Sequence, residues 1–312
     1  MLLIYSSPFK IPYEIMMQYI NIKQPGGPEV LELSECEIPT PGKDQILIKI
    51  AAADVNRPDV IQGTGNYPPS PGASEIPELE IAGEIIEVNG SVGMPTAGDT
   101  VCALIHSGGY AEYAIADAAL CLPIPNCLTA VESAAIPEPF FTVWSNIFDR
   151  GQLKAGETLL VHGGSSGTGT AAIQFTKAFD AKVYITAGSN EKCDVCMELG
   201  ANLAINYKES DFVEMCKEAS NSKGVNLILD MIADEYINKN IALAAVEGRI
   251  VIIAALAGFK ITVNFQKIML NRLTITGSTL RPRSTKFRAN IAENLKENQA
   301  SNLQNLSSYT RS

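Results

Sequence analysis

Hydrophobic and polar positions change rhythm near residue 138. From Met17 to about Pro125 the apolar residues come in short alternating runs, such as Gln45–Ile50 and Ile81–Val88. Turn signals at Pro25-Gly26-Gly27, Pro39–Gly42 and Pro68–Gly72 separate them. Short alternating strands with frequent punctuation predict a compact, mostly β domain. From Glu138 onward the runs become continuous, β-branched and strand-sized: Thr158–His162, Lys182–Thr186, Val225–Ile232 and Arg249–Ala255. Strands buried on both faces have this texture. Helix-length segments lie between them, at Gly167–Phe179, Glu191–Leu199 and Ser210–Ala219. The alternation predicts a doubly wound parallel sheet, so the fold class is α/β. Two ends stand apart. Residues 1–16 precede a natural-looking start at Met17, and Gln299–Ser312 is a polar, Ser/Asn-rich tail expected to be disordered or frayed.

The chain has 312 residues, enough for about two domains. Lys+Arg 24 against Asp+Glu 34 gives a net charge of −10, which argues against binding nucleic acid or an anionic membrane. No apolar run approaches the length of a membrane span. Seven scattered cysteines, without a secretory leader pattern, read as reduced thiols of a cytoplasmic protein.

The most informative motif follows the strand Thr158–His162. It reads Gly163-Gly164-Ser165-Ser166-Gly167-Thr168-Gly169 and runs into a helical segment. Gly164, Gly167 and Gly169 allow a tight strand-to-helix turn and close approach of backbone N–H groups to a pyrophosphate. The end of the next strand, Thr186-Ala187-Gly188-Ser189, carries no carboxylate to accept from ribose hydroxyls. Ser189 and Lys192 are suited to a 2′-phosphate, so NADPH is the expected cofactor; Glu191 is the dissenting residue. A zinc site is not expected. The chain has two histidines, His106 and His162, and its one close cysteine pair, Cys193-x-x-Cys196, falls in a predicted helix. Tyr236 and Lys239 have the wrong spacing for a short-chain reductase.

A series of motifs in order carries a family resemblance. They include Pro25-Gly26-Gly27-Pro28, Val55-Asn56-Arg57 with Asp59, and Gly65-Asn66-Tyr67-Pro68-Pro69. Leu79-Glu80-Ile81-Ala82-Gly83, Gly108-Gly109-Tyr110-Ala111-Glu112-Tyr113 and the glycine-rich turn follow. Leu199-Gly200-Ala201, Asn206-Tyr207-Lys208 and Gly277-Ser278-Thr279-Leu280-Arg281 complete the series. From Met17 to about Leu295 the chain resembles the zinc-free NADPH:quinone oxidoreductases, the zeta-crystallin relatives of the medium-chain dehydrogenase/reductase superfamily. The resemblance implies a GroES-like catalytic domain over 17–137 and a Rossmann-type cofactor domain over 138–281. It further implies a remnant of a C-terminal return to the catalytic domain over 282–312, an active site in the cleft between the domains, and a homodimer or homotetramer built through the cofactor domain. By position in the motifs, Asn56 matches the place of a metal ligand in zinc relatives, Tyr67 a cleft tyrosine, and Ser166 a serine near the nicotinamide. Gly188, Lys192 and Tyr207 match the adenosine phosphate end. Ala255 and Leu256, with Ser278, Thr279 and Leu280, match loops on the nicotinamide side. The family pattern fades after about Lys296, where the polar tail stands in place of a further helix and strand. That loss is expected to uncover a sheet edge.

Hydride transfer to a quinone needs little acid catalysis, because the product charge spreads into an aromatic ring. The Asn56 amide and Tyr67 hydroxyl are the expected donors to the carbonyl, although an asparagine in a loop also bonds its own backbone and a tyrosine beside Pro68-Pro69 also packs. Arg283 reads as a surface charge, and neither Glu138 nor Asp59 is assigned catalytic work. Three readings follow: an NADPH-dependent quinone reductase, a reductase of enoyl or α,β-unsaturated carbonyl substrates, and an NADPH-binding protein without turnover.

Overall fold

The computed structural model describes residues 16–90 and 95–302, with side chains through Glu297. Residues 1–15 and the tail beyond Asn302 lie outside the described residues, as do the expectations that fall on them. The chain forms two compact units. The first comprises the described residues up to Ile124 together with Thr129–Ala134; the second comprises Pro125–Leu128 and everything described from Ala135 onward.

In the first unit, β1 (Met16–Ile22) pairs antiparallel with β2 (Leu31–Glu37). A five-stranded antiparallel sheet follows, from β3 (Gln45–Ala53), β4 (Glu80–Asn89), β5 (Thr100–Leu104), β6 (Tyr113–Asp117) and β7 (Cys121–Pro123). Its order is β6-β3-β4-β5-β7. Alternation puts Ile46 and Ile48 of β3, Ile81 and Ile85 of β4 and Val101 and Ala103 of β5 into one core. The short helix α1 (Arg57–Gly63) starts at Asn56, and α2 (Ala130–Ala134) packs on β3 and β4.

In the second unit the sequence alternation becomes a parallel sheet. Its strands are β8 (Thr158–His162), β9 (Lys182–Ala187), β10 (Leu203–Asn206), β11 (Val225–Asp230), β12 (Ala244–Ile252) and β13 (Thr274–Gly277). They lie in the order β10-β9-β8-β11-β12-β13, which reverses direction between β8 and β11. A doubly wound sheet binds ligands at such a switch point, beyond the carboxyl ends of its strands. The helices are α3 (Pro137–Val143), α4 (Gly167–Ala178), α5 (Asn190–Leu199), α6 (Phe212–Ala219), α7 (Glu235–Leu243), α8 (Phe265–Asn271) and α9 (Thr285–Asn302). Leu160, Tyr184, Ile228 and Ile250 pack with Phe212, Ile237 and Ile241, while the intervening Leu159, Val161, Val183, Ile185 and Leu227 are buried as well. Both faces of the sheet are therefore covered, as the continuous apolar runs predict. α9 contacts α3 in this unit and continues through the first residues of the predicted frayed tail.

Element boundaries differ from the sequence expectation where a side chain redirects the backbone. β11 stops at Asp230 rather than Ile232 because the Asp230 carboxylate accepts the N–H groups of Ile232 and Ala233, at 2.7 and 3.0 Å. α6 starts at Phe212 rather than Ser210, since the Asp211 side chain caps it by accepting from the Val213 N–H at 2.8 Å.

Candidate functional site

At the end of β8 the chain turns through Gly163–Ser166 into α4. Ser166 is the cap: its Oγ accepts from the Gly169 N–H at 3.1 Å, and its hydroxyl donates to the Gly163 carbonyl at 2.8 Å. The loop lies against the sheet so closely that two positions admit only glycine. A Cβ on Gly164 would stand 2.5 Å from the Ile185 Cβ, and one on Gly169 would stand 2.4 Å from the Gly163 carbonyl oxygen. The Gly164 N–H donates to the Thr186 carbonyl at 2.9 Å, tying the loop to β9. The result is a backbone cradle at the start of a twelve-residue helix, whose dipole favours an anion.

The cradle opens on a cavity of about 590 Å³ within the second unit. Ser165 and Ser166 line one side; Gly188 and Lys192 come from the β9–α5 turn. Tyr207 and Lys208 follow β10, and Tyr236 comes from the first turn of α7. Two lysines and no carboxylate line it. Glu191 is turned elsewhere: its carboxylate accepts a hydrogen bond from the Ser189 hydroxyl, which holds the acid below its usual range. Ser189 also caps α5, accepting from the Lys192 N–H at 3.4 Å, and is not part of the lining.

Of the other predicted cofactor residues, Gly167, Thr168 and Gly169 form the first turn of α4. Ala255 and Leu256 lie on the loop after β12, where the Leu256 N–H donates to the Met231 carbonyl at 3.2 Å. Ser278, Thr279 and Leu280 follow β13, and the Ser278 N–H donates to the Ile252 carbonyl at 3.1 Å. These five residues do not line the cavity. Lys208, Thr186, Ile232 and Tyr236 do, and the sequence reading did not single them out as ligands. Lys208 was legible within Asn206-Tyr207-Lys208; Tyr236, on a later helix, carried no signal.

The first unit places Asn56 at the N-cap of α1. Its backbone N–H donates to the Asp59 carboxylate at 2.7 Å, and its side-chain amide donates to Glu80 Oε1 at 2.5 Å. Glu80, Glu78 and Asp59 are all buried, and the Tyr110 hydroxyl donates to Asp59 at 3.3 Å. Glu78 accepts from the Glu80 N–H at 2.7 Å while its carboxyl faces Asp59. Burial and the neighbouring Asp59 push the Glu78 carboxyl up to about 11, so it is a neutral acid at neutral pH. Its backbone is left-handed, at φ 81°. Tyr67 lies half-buried in the loop after α1. A separate cavity of about 550 Å³ in this unit is lined by residues that include Cys36, Ser74 and His106, and by neither Asn56 nor Tyr67. There His106 Nε2 lies 3.0 Å from Asp117 Oδ2.

Among the described residues, no group of three or more His, Cys, Asp or Glu side chains is arranged to hold a metal ion. Cys193 and Cys196 are buried on α5, and burial pushes the Cys196 thiol up to about 11. The cradle and the size of the cavity fit the phosphates of a dinucleotide. No described helix is long and apolar enough to cross a membrane.

Comparison with known proteins agrees with this division. Residues 42–126 match the alcohol dehydrogenase GroES-like domain, and residues 167–297 match the zinc-binding dehydrogenase family. A quinone oxidoreductase of Rattus norvegicus is 33% identical over 267 residues, covering 85% of this chain and 80% of the relative. The solved quinone oxidoreductase of Pseudomonas syringae pv. Tomato DC3000 superposes with a TM-score of 0.78 at 24% identity, covering 94% of this chain and 89% of that one. The CurK enoyl reductase has the same fold, with a TM-score of 0.80 at 23% identity over 92% of this chain and 89% of its own. A GroES-like β unit and a Rossmann-type parallel sheet, joined in one chain with identity at this level over most of its length, make the protein a member of the zeta-crystallin-like quinone oxidoreductase family of the medium-chain dehydrogenase/reductase superfamily.

Proposed function

We propose that the chain is an NADPH-dependent quinone reductase working by hydride transfer without zinc. The observation that carries the cofactor half is the cavity beyond β8 and β9, with Lys192 and Lys208 in its lining and no carboxylate. A 2′-phosphate is matched by two ammonium groups and would be repelled by the acid that NAD enzymes place there. When bound, the nicotinamide supplies the hydride. The chain's own residues bind and orient it: backbone N–H groups of the Gly164–Gly169 loop take the pyrophosphate, and Gly188, Lys192, Tyr207 and Lys208 take the adenosine phosphate end, with Ser189 holding the turn that presents Lys192. Ser166, Ala255, Leu256, Ser278, Thr279 and Leu280 serve the nicotinamide side. In the first unit the Asn56 amide, held by Glu80, and the Tyr67 hydroxyl position and polarise the quinone carbonyl. The relatives' printed activity supports the quinone half.

Cytoplasm, with its reduced thiols, is the compartment that fits seven free cysteines. We further propose a homodimer, or a homotetramer of two such dimers, formed through the second unit at the outermost strand β13 and the exposed apolar side of α8.

Titrating the purified chain with NADPH and NADH by fluorescence, then adding an ortho-quinone, an enone and a buffer blank, tests the reading. Expected are a preference for NADPH of at least about tenfold and oxidation driven by the quinone. Oxidation by the enone alone reassigns the chain as an enoyl-type reductase; binding without oxidation by either makes it a non-catalytic NADPH-binding protein.

A further inference from the structure

His162 closes β8 immediately before the glycine-rich loop, and it is completely buried. It does not line the cofactor cavity, yet its ring joins two of that cavity's walls. Nδ1 lies 3.1 Å from Thr186 Oγ1, and Nε2 lies 2.8 Å from Asn240 Oδ1. The Asn240 amide in turn donates to Asp230 Oδ2 at 2.9 Å. Asp230 is also fully buried.

These contacts fix the direction of every hydrogen bond in the chain. Asp230 Oδ1 already accepts the Ile232 and Ala233 N–H groups, so Asp230 acts as an acceptor. Asn240 must then present its NH₂ to Asp230 and its carbonyl oxygen to the imidazole; the flipped amide would set oxygen against oxygen. A carbonyl oxygen only accepts, so Nε2 carries the proton and Nδ1 accepts from the Thr186 hydroxyl. The neutral ring then has one defined tautomer. Burial, the largest influence on it, holds the ring below its ordinary value, while the Asp230 charge and the Asn240 hydrogen bond act the other way. The groups facing it are Thr186 from β9, Asp230 from β11, and Asn240 and Tyr236 from α7; Phe212 from α6 completes the set. Tyr236 and Phe212 lie edge-on at 4.8 and 4.9 Å between ring centroids. Lys239 sits 5.5 Å from the centroid of the Phe212 ring and pairs with Asp211.

Both ends of this relay hold pieces of the cavity. At one end, Thr186 lines it and receives the Gly164 N–H of the phosphate loop on its carbonyl. At the other, Asp230 pins the turn that carries Ile232, also in the lining. That turn is strained, with Ala233 and Asp234 at φ 59° and 46°. It also grips the following loop: the carbonyls of Met231 and Ile232 accept from the N–H groups of Leu256 and Ala257. We infer that His162 is a positioning residue for the dinucleotide, a two-ended brace that holds the phosphate-loop wall and the β11–α7 wall of the cavity in register. This rests on the reading of the cavity as the cofactor site.

The test uses the full-length chain, with NADP⁺ binding measured by calorimetry and the imidazoles followed by ¹⁵N NMR, where two histidines give two resolvable rings. His162 should show the Nε2–H tautomer and shift on adding NADP⁺. His162→Leu should weaken NADP⁺ about tenfold, and Asn240→Leu similarly. The double variant should be no weaker than either single one, because both cut the same relay. His162→Gln, which keeps one acceptor and one donor, should recover most of the affinity even if the leucine variant folds poorly. Wild-type affinity in folded His162→Leu, additive losses in the double variant, or an imidazole indifferent to NADP⁺ would overturn the brace alone. A wild-type chain that takes neither NADP⁺ nor NAD⁺ would overturn the cavity reading, and this inference with it.

Discussion

At the scale of single residues, cofactor choice comes down to which charged groups reach the cavity. Glu191 was the residue that complicated the sequence argument, and its carboxylate is engaged by Ser189 instead of lining the site. Lys192 and Lys208 remain as the two cations. Lys192→Glu should weaken NADPH by about ten- to a hundredfold while changing NADH by less than about threefold, and Lys208→Glu should act in the same direction. Parallel fluorescence titrations check this; equal losses for both nucleotides would remove the 2′-phosphate assignment. The glycines and Lys192 were legible because their chemistry is local: a strand, a tight turn and a helix start are contiguous in sequence. Tyr236 and Thr186 were not, because their part in the cavity depends on how β9, β11 and α7 pack.

At the scale of elements, the continuous apolar runs identified β8, β9, β11 and the latter part of β12, and the caps at Ser166, Ser189 and Asp211 account for where three helices begin. β10 and β13 escaped notice because each is only four residues long. β13 matters beyond its length. It is the outer strand of the sheet, Ile275 on it is exposed, and α8 just before it exposes Phe265, Met269 and Leu270 at 73%, 69% and 61%. An unpaired edge beside apolar surface invites a second chain. Ile275→Lys should convert a dimer into monomers in light scattering at micromolar concentration, with the far-ultraviolet circular dichroism unchanged. A wild-type chain that is already monomeric would remove the proposed assembly.

At the scale of the whole molecule, stability should depend on pH through Glu78. The folded state holds this carboxyl neutral up to about 11, while in the unfolded chain it ionises near its ordinary value of 4.5. Stabilisation from the neutral acid is therefore complete below about 4.5 and is lost progressively as pH rises toward 11. Glu78→Gln, which cannot ionise, should raise the melting midpoint at pH 8 by at least about 2 °C and leave it nearly unchanged at pH 4. An identical shift at both pH values would show that the carboxyl ionises alike in the folded and unfolded chain. Nothing in the sequence around Glu78 announced this, since the distant Gly109 packs against its side chain and donates its N–H to the Glu78 carbonyl, and its partner Asp59 lies on α1.

The two units are interleaved along the chain, because Pro125–Leu128 belongs to the second and Thr129–Ala134 to the first. No single cut separates them. A fragment ending at Ile124 lacks α2, which packs on β3 and β4, and a fragment starting at Pro125 carries that helix away from its sheet. Exchange of cofactor domains between relatives by gene recombination must therefore preserve a short stretch of the recipient's own sequence inside the donor segment; a chimera joined at one crossover would carry either a mismatched α2, if cut before Thr129, or a mismatched Pro125–Leu128, if cut after Ala134.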